Sequence, residues 1–243
     1  MPPEKRLIAL LIALISADGM AQPVATDRQR VGAILIDRTE VSIAQFRRYA
    51  EAQRIVTAAE REGGGYEYAA GWTRRPGWTV YRPFGAESDT TPQIAAHPAV
   101  HVTWAEAQAY CRANGGRLPT VQEWLQAAYV ETRRDPPPPF VTGQRYTYPT
   151  GDAPTGANMS TPDRWPRSAP VGTTAAGVNG LYDMGANVWE WVADAPDDPG
   201  GGDKRTMGGS WWYGPEQMKA TANYSKPAEF YAVYVGFRCA YER

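Results

Sequence analysis

The 243-residue sequence has no surplus of either charge, with 25 Lys and Arg against 26 Asp and Glu. Without a basic field, a nucleic-acid backbone has nothing to neutralise it, so a nucleic-acid partner is excluded. Histidine is scarce: His97 and His101 both lie in "HPAVHV". A non-haem iron site needs two His and a carboxylate around open positions. This segment reads as extended ahead of a helix cap, where the two rings need not converge, so both histidines are read as structural. Zinc lacks a third His. The sequence has no G-x-S-x-G, no Walker loop and no dinucleotide fingerprint, so those enzyme classes have no footing. The apolar run Leu7–Ile15 is only nine residues, against about 20 needed to span a bilayer.

That run has another reading. Lys5 and Arg6 precede it, and Gly19-Met20-Ala21 follows as a small-x-small cleavage site before Gln22. This is the pattern of an export signal over residues 1–21, with an uncleaved anchor as the alternative. The expected destination is the periplasm or the medium, with no membrane span after cleavage. The two cysteines, Cys111 and Cys239, then favour a disulfide; two buried free thiols are the other option. The chain is rich where it is not poor: 24 Gly, 21 Pro, nine Trp and 14 Tyr. Turn formers with many aromatics describe an ordered, loop-rich domain, since disordered chains lack aromatics.

Along the chain, residues 22–36 read as a polar lead and a first strand, Val31–Ile36. A helix is expected over Ser42–Gln53, with Ser42 as cap and Ile43, Phe46, Tyr49 and Ala50 on one face. Residues 59–93 show no period and read as a long ordered loop. Thr103 with Glu106, and Thr120 with Glu123, form two capping boxes opening two further helices. "DPPPPF", residues 135–140, reads as a polyproline spacer, and "YVGFRCAYE" as a closing strand. In "LYDMGANVWEW" the polar Asp183, Asn187 and Glu190 stand among apolar residues. Such groups must be paired, hydrogen-bonded or bound to a cation, and carboxylates, amides and carbonyls are calcium ligands. Plain turn capping by Asp183 and Asn187 is the alternative.

Several stretches together carry a resemblance: "HPAVHVTWAEAQAYC", "GRLPTVQEW", "YPTG", "APVGTTAAGVNGLYDMGANVWEW", "MGGSWW" and "GFRCA". In this order they resemble the formylglycine-generating enzyme, or sulfatase-modifying factor, family over about residues 37–243. The resemblance implies an α+β, loop-rich relative of the C-type lectin fold, with few helices and short twisted strands. It also implies a Cys111–Cys239 bridge and structural calcium. One calcium set carries over as Asp183, the carbonyls of Ala186 and Val188, and Glu190. The other is Asn158, the Met159 carbonyl, Asp163 and the Trp165 carbonyl. Ala186 stands where the family has Gly, which would be strained if that position needs positive φ.

Family enzymes oxidise a substrate cysteine to formylglycine with two cysteines just after "GGS", whose thiolates suit copper(I). Those positions are Tyr213 and Met218 here, so cysteine-dependent activity is not expected, and the residue set argues against copper or iron. Two functions remain. In the first, an exported, monomeric accessory protein binds a protein or peptide partner through the former substrate groove, built from Trp189, Trp211, Trp212, Tyr213, Met218 and Tyr224. Large rigid aromatics are typical interface anchors. In the second, an enzyme of different chemistry acts on a peptide or small-molecule substrate with Ser210, Tyr213 and Glu216 as polar groups, Glu216 serving as base if buried. No "EPN", "QPD" or "WND" triplet supports sugar binding.

Overall fold

The computed structural model describes residues 27–160 and 163–242. The expected export signal over residues 1–21 lies outside them. Among the described residues no helix is long and apolar enough to cross a membrane.

The chain opens with a hairpin, β1 (Arg28–Val31) and β2 (Ile34–Asp37). Gly32, at φ 57°, makes the turn, so the single strand expected over Val31–Ile36 is instead two strands reversing at a glycine that accepts the left-handed conformation. Helix α1 (Ile43–Gln53) starts at the Ser42 cap and buries Ile43, Phe46 and Ala50, with Tyr49 of the same face only partly buried against the core. The segment read as a loop holds a short helix, α2 (Ala58–Arg61), and a hairpin of β3 (Gly64–Tyr68) and β4 (Trp72–Pro76). Their register pairs Tyr68 with Trp72 across the turn. Both capping boxes are formed: Thr103 and Glu106 open α3 (Trp104–Ala113), and Thr120 and Glu123 open α4 (Val121–Tyr129). "DPPPPF" is no spacer: the Phe140 amide donates to the Pro137 carbonyl at 3.1 Å, closing a turn.

The second half supplies a four-stranded sheet in the order β7-β6-β5-β8, from β5 (Trp189–Trp191), β6 (Asp203–Met207), β7 (Asn223–Pro227) and β8 (Val235–Gly236). β8 lies parallel to β5 and the other pairs are antiparallel. The chain then closes on β2 with β9 (Ala240–Tyr241). The expected closing strand is thus split, because β8 and β9 pair with different sheets. Between them Arg238 and Cys239 are fully buried, and Cys239 is bonded to Cys111 of α3. This is the α+β, loop-rich architecture that was expected.

The buried tryptophans show how this core tolerates polar atoms. Trp104 and Trp191 donate their indole N–H to the carbonyls of Val192 and Val102, at 2.8 and 3.0 Å. Trp124 donates to Glu190 Oε2 at 2.8 Å. Burial without a partner would cost each indole about 1–3 kcal/mol.

Candidate functional site

The "GGS" frame is built by backbone geometry. Gly208 and Gly209 have φ of 96° and 84°. A Cβ on Gly208 would stand 2.7 Å from the Met184 carbonyl oxygen, so only glycine fits. The turn is pinned by Ala186 N–H donating to the Gly208 carbonyl at 2.8 Å and Trp211 N–H to the Asn187 carbonyl at 2.9 Å. Ser210 is buried, and its Oγ accepts from the Trp212 amide at 3.4 Å. Among the described residues it has no histidine contact and no base hydrogen-bonded to it.

Five of the six expected groove residues form one aromatic band. Trp189 meets Tyr213 and Tyr224 edge-on at 5.8 and 5.1 Å. Trp211 packs against Trp212 at 5.3 Å and Tyr234 at 6.5 Å. Trp212 and Tyr224 are exposed. Met218 does not join them: it is fully buried in a small cluster with Ala157 and Ala186. The β3–β4 hairpin extends the band with Trp72, which contacts Tyr68, Phe230 and Tyr234. These residues were missed because their stretch shows no helical period. The Tyr66/Tyr68 alternation ahead of Gly71 was the available hairpin signal.

Lys226 was also missed. Its ammonium stands over the rings of Trp72, Tyr224 and Phe230 at 5.8, 5.9 and 5.1 Å. Among the described residues it has no carboxylate partner, and burial lowers its pKa. An unpaired cation among aromatics suits an anionic or polarisable ligand group. Burial, with Tyr224 and Tyr68 nearby, raises the pKa of Tyr213, so its phenol stays protonated at neutral pH and cannot act as base. Glu216 lies outside the band, on an exposed turn where Lys219 Nζ pairs with it at 2.7 Å. The burial that a catalytic role for Glu216 required is absent.

Two clusters bear on calcium. In the first, Asp183 accepts from the Gly172 amide and the Thr174 hydroxyl. Glu190 is held bidentate by Arg238, at 2.7 and 2.8 Å, besides accepting from Trp124. Both carboxylates are spent on protein donors. The set does not fit a cation. Glu40, a third buried carboxylate, accepts from the Asn187 amide at 2.8 Å. Desolvation, then Asp183 and Glu190, push its pKa well above the usual carboxylate range. Ala186 does adopt positive φ, 65°, and carries the strain foreseen for it.

The second cluster fits better. Asn158 is fully buried, its Nδ2 donating to the Arg167 carbonyl and to Asn187 Oδ1, while its Oδ1 has no partner among the described residues. A buried acceptor left unpaired is costly unless something binds it. The loop also supplies Asp163, whose Oδ1 caps the Trp165 amide at 2.7 Å. Met159, Asp163 and Trp165 line an open cleft of about 500 Å³ whose opposite wall is Trp211 and Trp212. The two histidines are structural in position: His97 meets Ser168 Oγ, and His101 meets the Pro83 carbonyl, each at 3.0 Å.

Comparison with known proteins agrees with this architecture. A formylglycine-generating enzyme from Thermomonospora curvata is 31% identical, over 87% of this chain and 82% of its own. A hercynine oxygenase from Mycolicibacterium thermoresistibile is 30% identical, over 94% of this chain and 56% of its own. The solved structure of PvdO from Pseudomonas aeruginosa shares the fold, with a TM-score of 0.56 at 22% identity over 86% of this chain and 80% of that one. Residues 14–243 match the sulfatase-modifying factor enzyme 1-like domain, and the chain belongs to that family.

Proposed function

We propose that this chain is an exported member of the family that has exchanged thiol chemistry for binding, and that it holds a peptide or protein partner through the aromatic band and cleft around Trp189, Trp211, Trp212, Tyr213 and Tyr224. The observation that carries the reading concerns sulfur. The sequence has two cysteines, and they are bonded to each other, between α3 and the β8–β9 segment. No thiolate is left to take copper(I) or to exchange with a substrate cysteine. In its place stand a protonated phenol, a buried thioether, exposed indole and phenol rings, and the unpaired Lys226. Such a surface suits binding, while among the described residues Ser210 lacks a base and Glu216 lacks the burial that a catalytic role would need.

Calcium belongs in this proposal at the Asn158–Trp165 loop, where the Asn158 and Asp163 side chains and the Met159 and Trp165 carbonyls are hard oxygen donors. Bound there, the ion would fix the wall of the cleft that faces Trp211 and Trp212.

The test is a pair of assays on the mature protein. A cysteine-bearing sulfatase peptide, supplied with copper and oxygen, should yield no aldehyde to a hydrazide probe. A peptide array should retain the protein, and Trp212→Ala or Tyr224→Ala should weaken retention about tenfold, as expected for interface anchors. Stoichiometric aldehyde, or retention indifferent to both variants, would overturn the proposal.

A further inference from the structure

The register of β6 and β7 sets Lys204 directly opposite Lys226. Like charges so placed repel, and the fold treats the two differently. Lys204 is buried and paired with Asp198 at 2.6 Å and Asp194 at 3.6 Å. Lys226 is partly buried, and among the described residues its ammonium meets only the rings of Trp72, Tyr224 and Phe230. Glu67 of β3, at the Tyr68 end of the band, is already held by Arg75 at 2.9 Å. Desolvation lowers the pKa of Lys226, and no carboxylate counters it.

The ammonium is also reachable. Lys226 keeps part of its surface, and its Nζ is open to solvent. β7 is the outer strand of its sheet, with Asn223, Tyr224 and Ser225 exposed, so no further strand covers it. Trp72 and Tyr224 flank the ammonium and are exposed themselves. Tyr224, two residues before Lys226, shares its face of the strand and joins the band through Trp189. The unneutralised charge therefore stands at one end of the aromatic surface. Ring faces attract a cation but carry no net charge, whereas a carboxylate supplies both the opposite charge and a charge-assisted hydrogen bond. A single ammonium matches the single charge of that group. We infer that the segment bound by the band is acidic, and that Lys226 takes one of its Asp or Glu carboxylates at the Trp72–Tyr224 end. This inference rests on the peptide-binding reading of the band and adds the sign of the partner's charge.

The experiment uses residues 22–243 with ¹³C-labelled lysine, in which Lys204, Lys219 and Lys226 give the only side-chain signals. Lys226→Met assigns the Lys226 signal and removes the charge while keeping an unbranched apolar stem. The probes are two blocked tripeptides, acetyl-Tyr-Glu-Tyr-amide and acetyl-Tyr-Gln-Tyr-amide. The Glu peptide should shift the Lys226 Cε resonance and raise the pH at which it titrates. At low salt it should bind at least about tenfold more tightly than the Gln peptide, the value of a hydrogen bond between charged groups. The preference should shrink in about 0.5 M NaCl, because the site is open to screening ions. Lys226→Met should melt with the parent, bind the two peptides alike and keep the parent's affinity for the Gln peptide; Lys226→Arg should keep the preference. Equal binding of both peptides by the parent, or a preference that survives in Lys226→Met, would overturn the inference and leave the groove reading standing. If neither peptide binds, the acidic subsite falls, and the groove reading is decided separately by the peptide array and its Trp212→Ala and Tyr224→Ala variants.

Discussion

Tyr213 and Met218, the two residues expected at the family's reactive positions, send their side chains opposite ways. Tyr213 joins the aromatic band against Trp189, while Met218 sinks into the cluster of Ala157 and Ala186. A thioether is apolar and adaptable enough to fill such a gap, whereas a phenol carries a polar oxygen that favours a hydrogen-bond partner. His101 shows the same logic with a titratable group. It is fully buried, its neighbours Trp78 and the Pro83 carbonyl carry no charge, and desolvation lowers its pKa to about 4. The unfolded chain therefore takes up a proton near pH 6.5 that the folded protein refuses until about 4. Stability from this residue is complete above pH 6.5 and falls with acidification, by about 3 kcal/mol at pH 4. His101 has φ 58°, a conformation Asn tolerates. Urea unfolding across pH 4–7 should give a shallower acid-side slope for His101→Asn than for the parent. Equal slopes would mean that His101 is protonated in the fold.

At the scale of elements, the Cys111–Cys239 bridge fastens α3 to the stretch between β8 and β9, across a separation of 128 residues. β8 and β9 are two residues each, too short to hold their own register. In the chain-entropy account a loop of this length is worth about 5 kcal/mol. The Cys111→Ala/Cys239→Ala protein should lose about that much in denaturant unfolding, and a loss under about 1 kcal/mol would show that packing alone secures the C-terminal segment. What was legible in the sequence divides along the same line. Helices α1, α3 and α4 were readable because a capping box and a 3.6-residue apolar period are local. The turn at Gly32, the hairpin over Gly64–Pro76 and the division of β8 from β9 were not, since each depends on a distant partner strand or on one positive-φ glycine. The site followed suit. Trp189, Trp211, Trp212, Tyr213 and Tyr224 were found from a contiguous motif and its resemblance. Tyr68, Trp72, Lys226 and Tyr234 come to the band only through tertiary pairing.

At the scale of the molecule, polar groups from distant parts of the chain meet inside one core, and the calcium question turns on which of them are satisfied. Arg238 bridges the two halves: it donates to Glu190 of β5 and to the Asp37 and Tyr182 carbonyls. With its carboxylate so engaged, the Asp183–Glu190 cluster is complete without a metal. Asn158 is also tied into the core through Asn187, yet its Oδ1 has no partner among the described residues. A cation there would complete the bonding of a buried residue and clamp the exposed Asp163 end of the loop against the cleft. Calcium binding only the folded state stabilises it by about 2.7 kcal/mol at a hundredfold excess over Kd. For a chain of this size that is roughly 8 °C in Tm. Thermal unfolding in saturating calcium should therefore occur well above that in EGTA. Asp163→Asn keeps the oxygen that caps Trp165 while removing the charge, so the variant should match the parent in EGTA and lose most of the calcium-dependent rise. If calcium leaves Tm unchanged, or if the rise survives in Asp163→Asn, the loop is not its site, and the bare Asn158 oxygen must be satisfied by water instead.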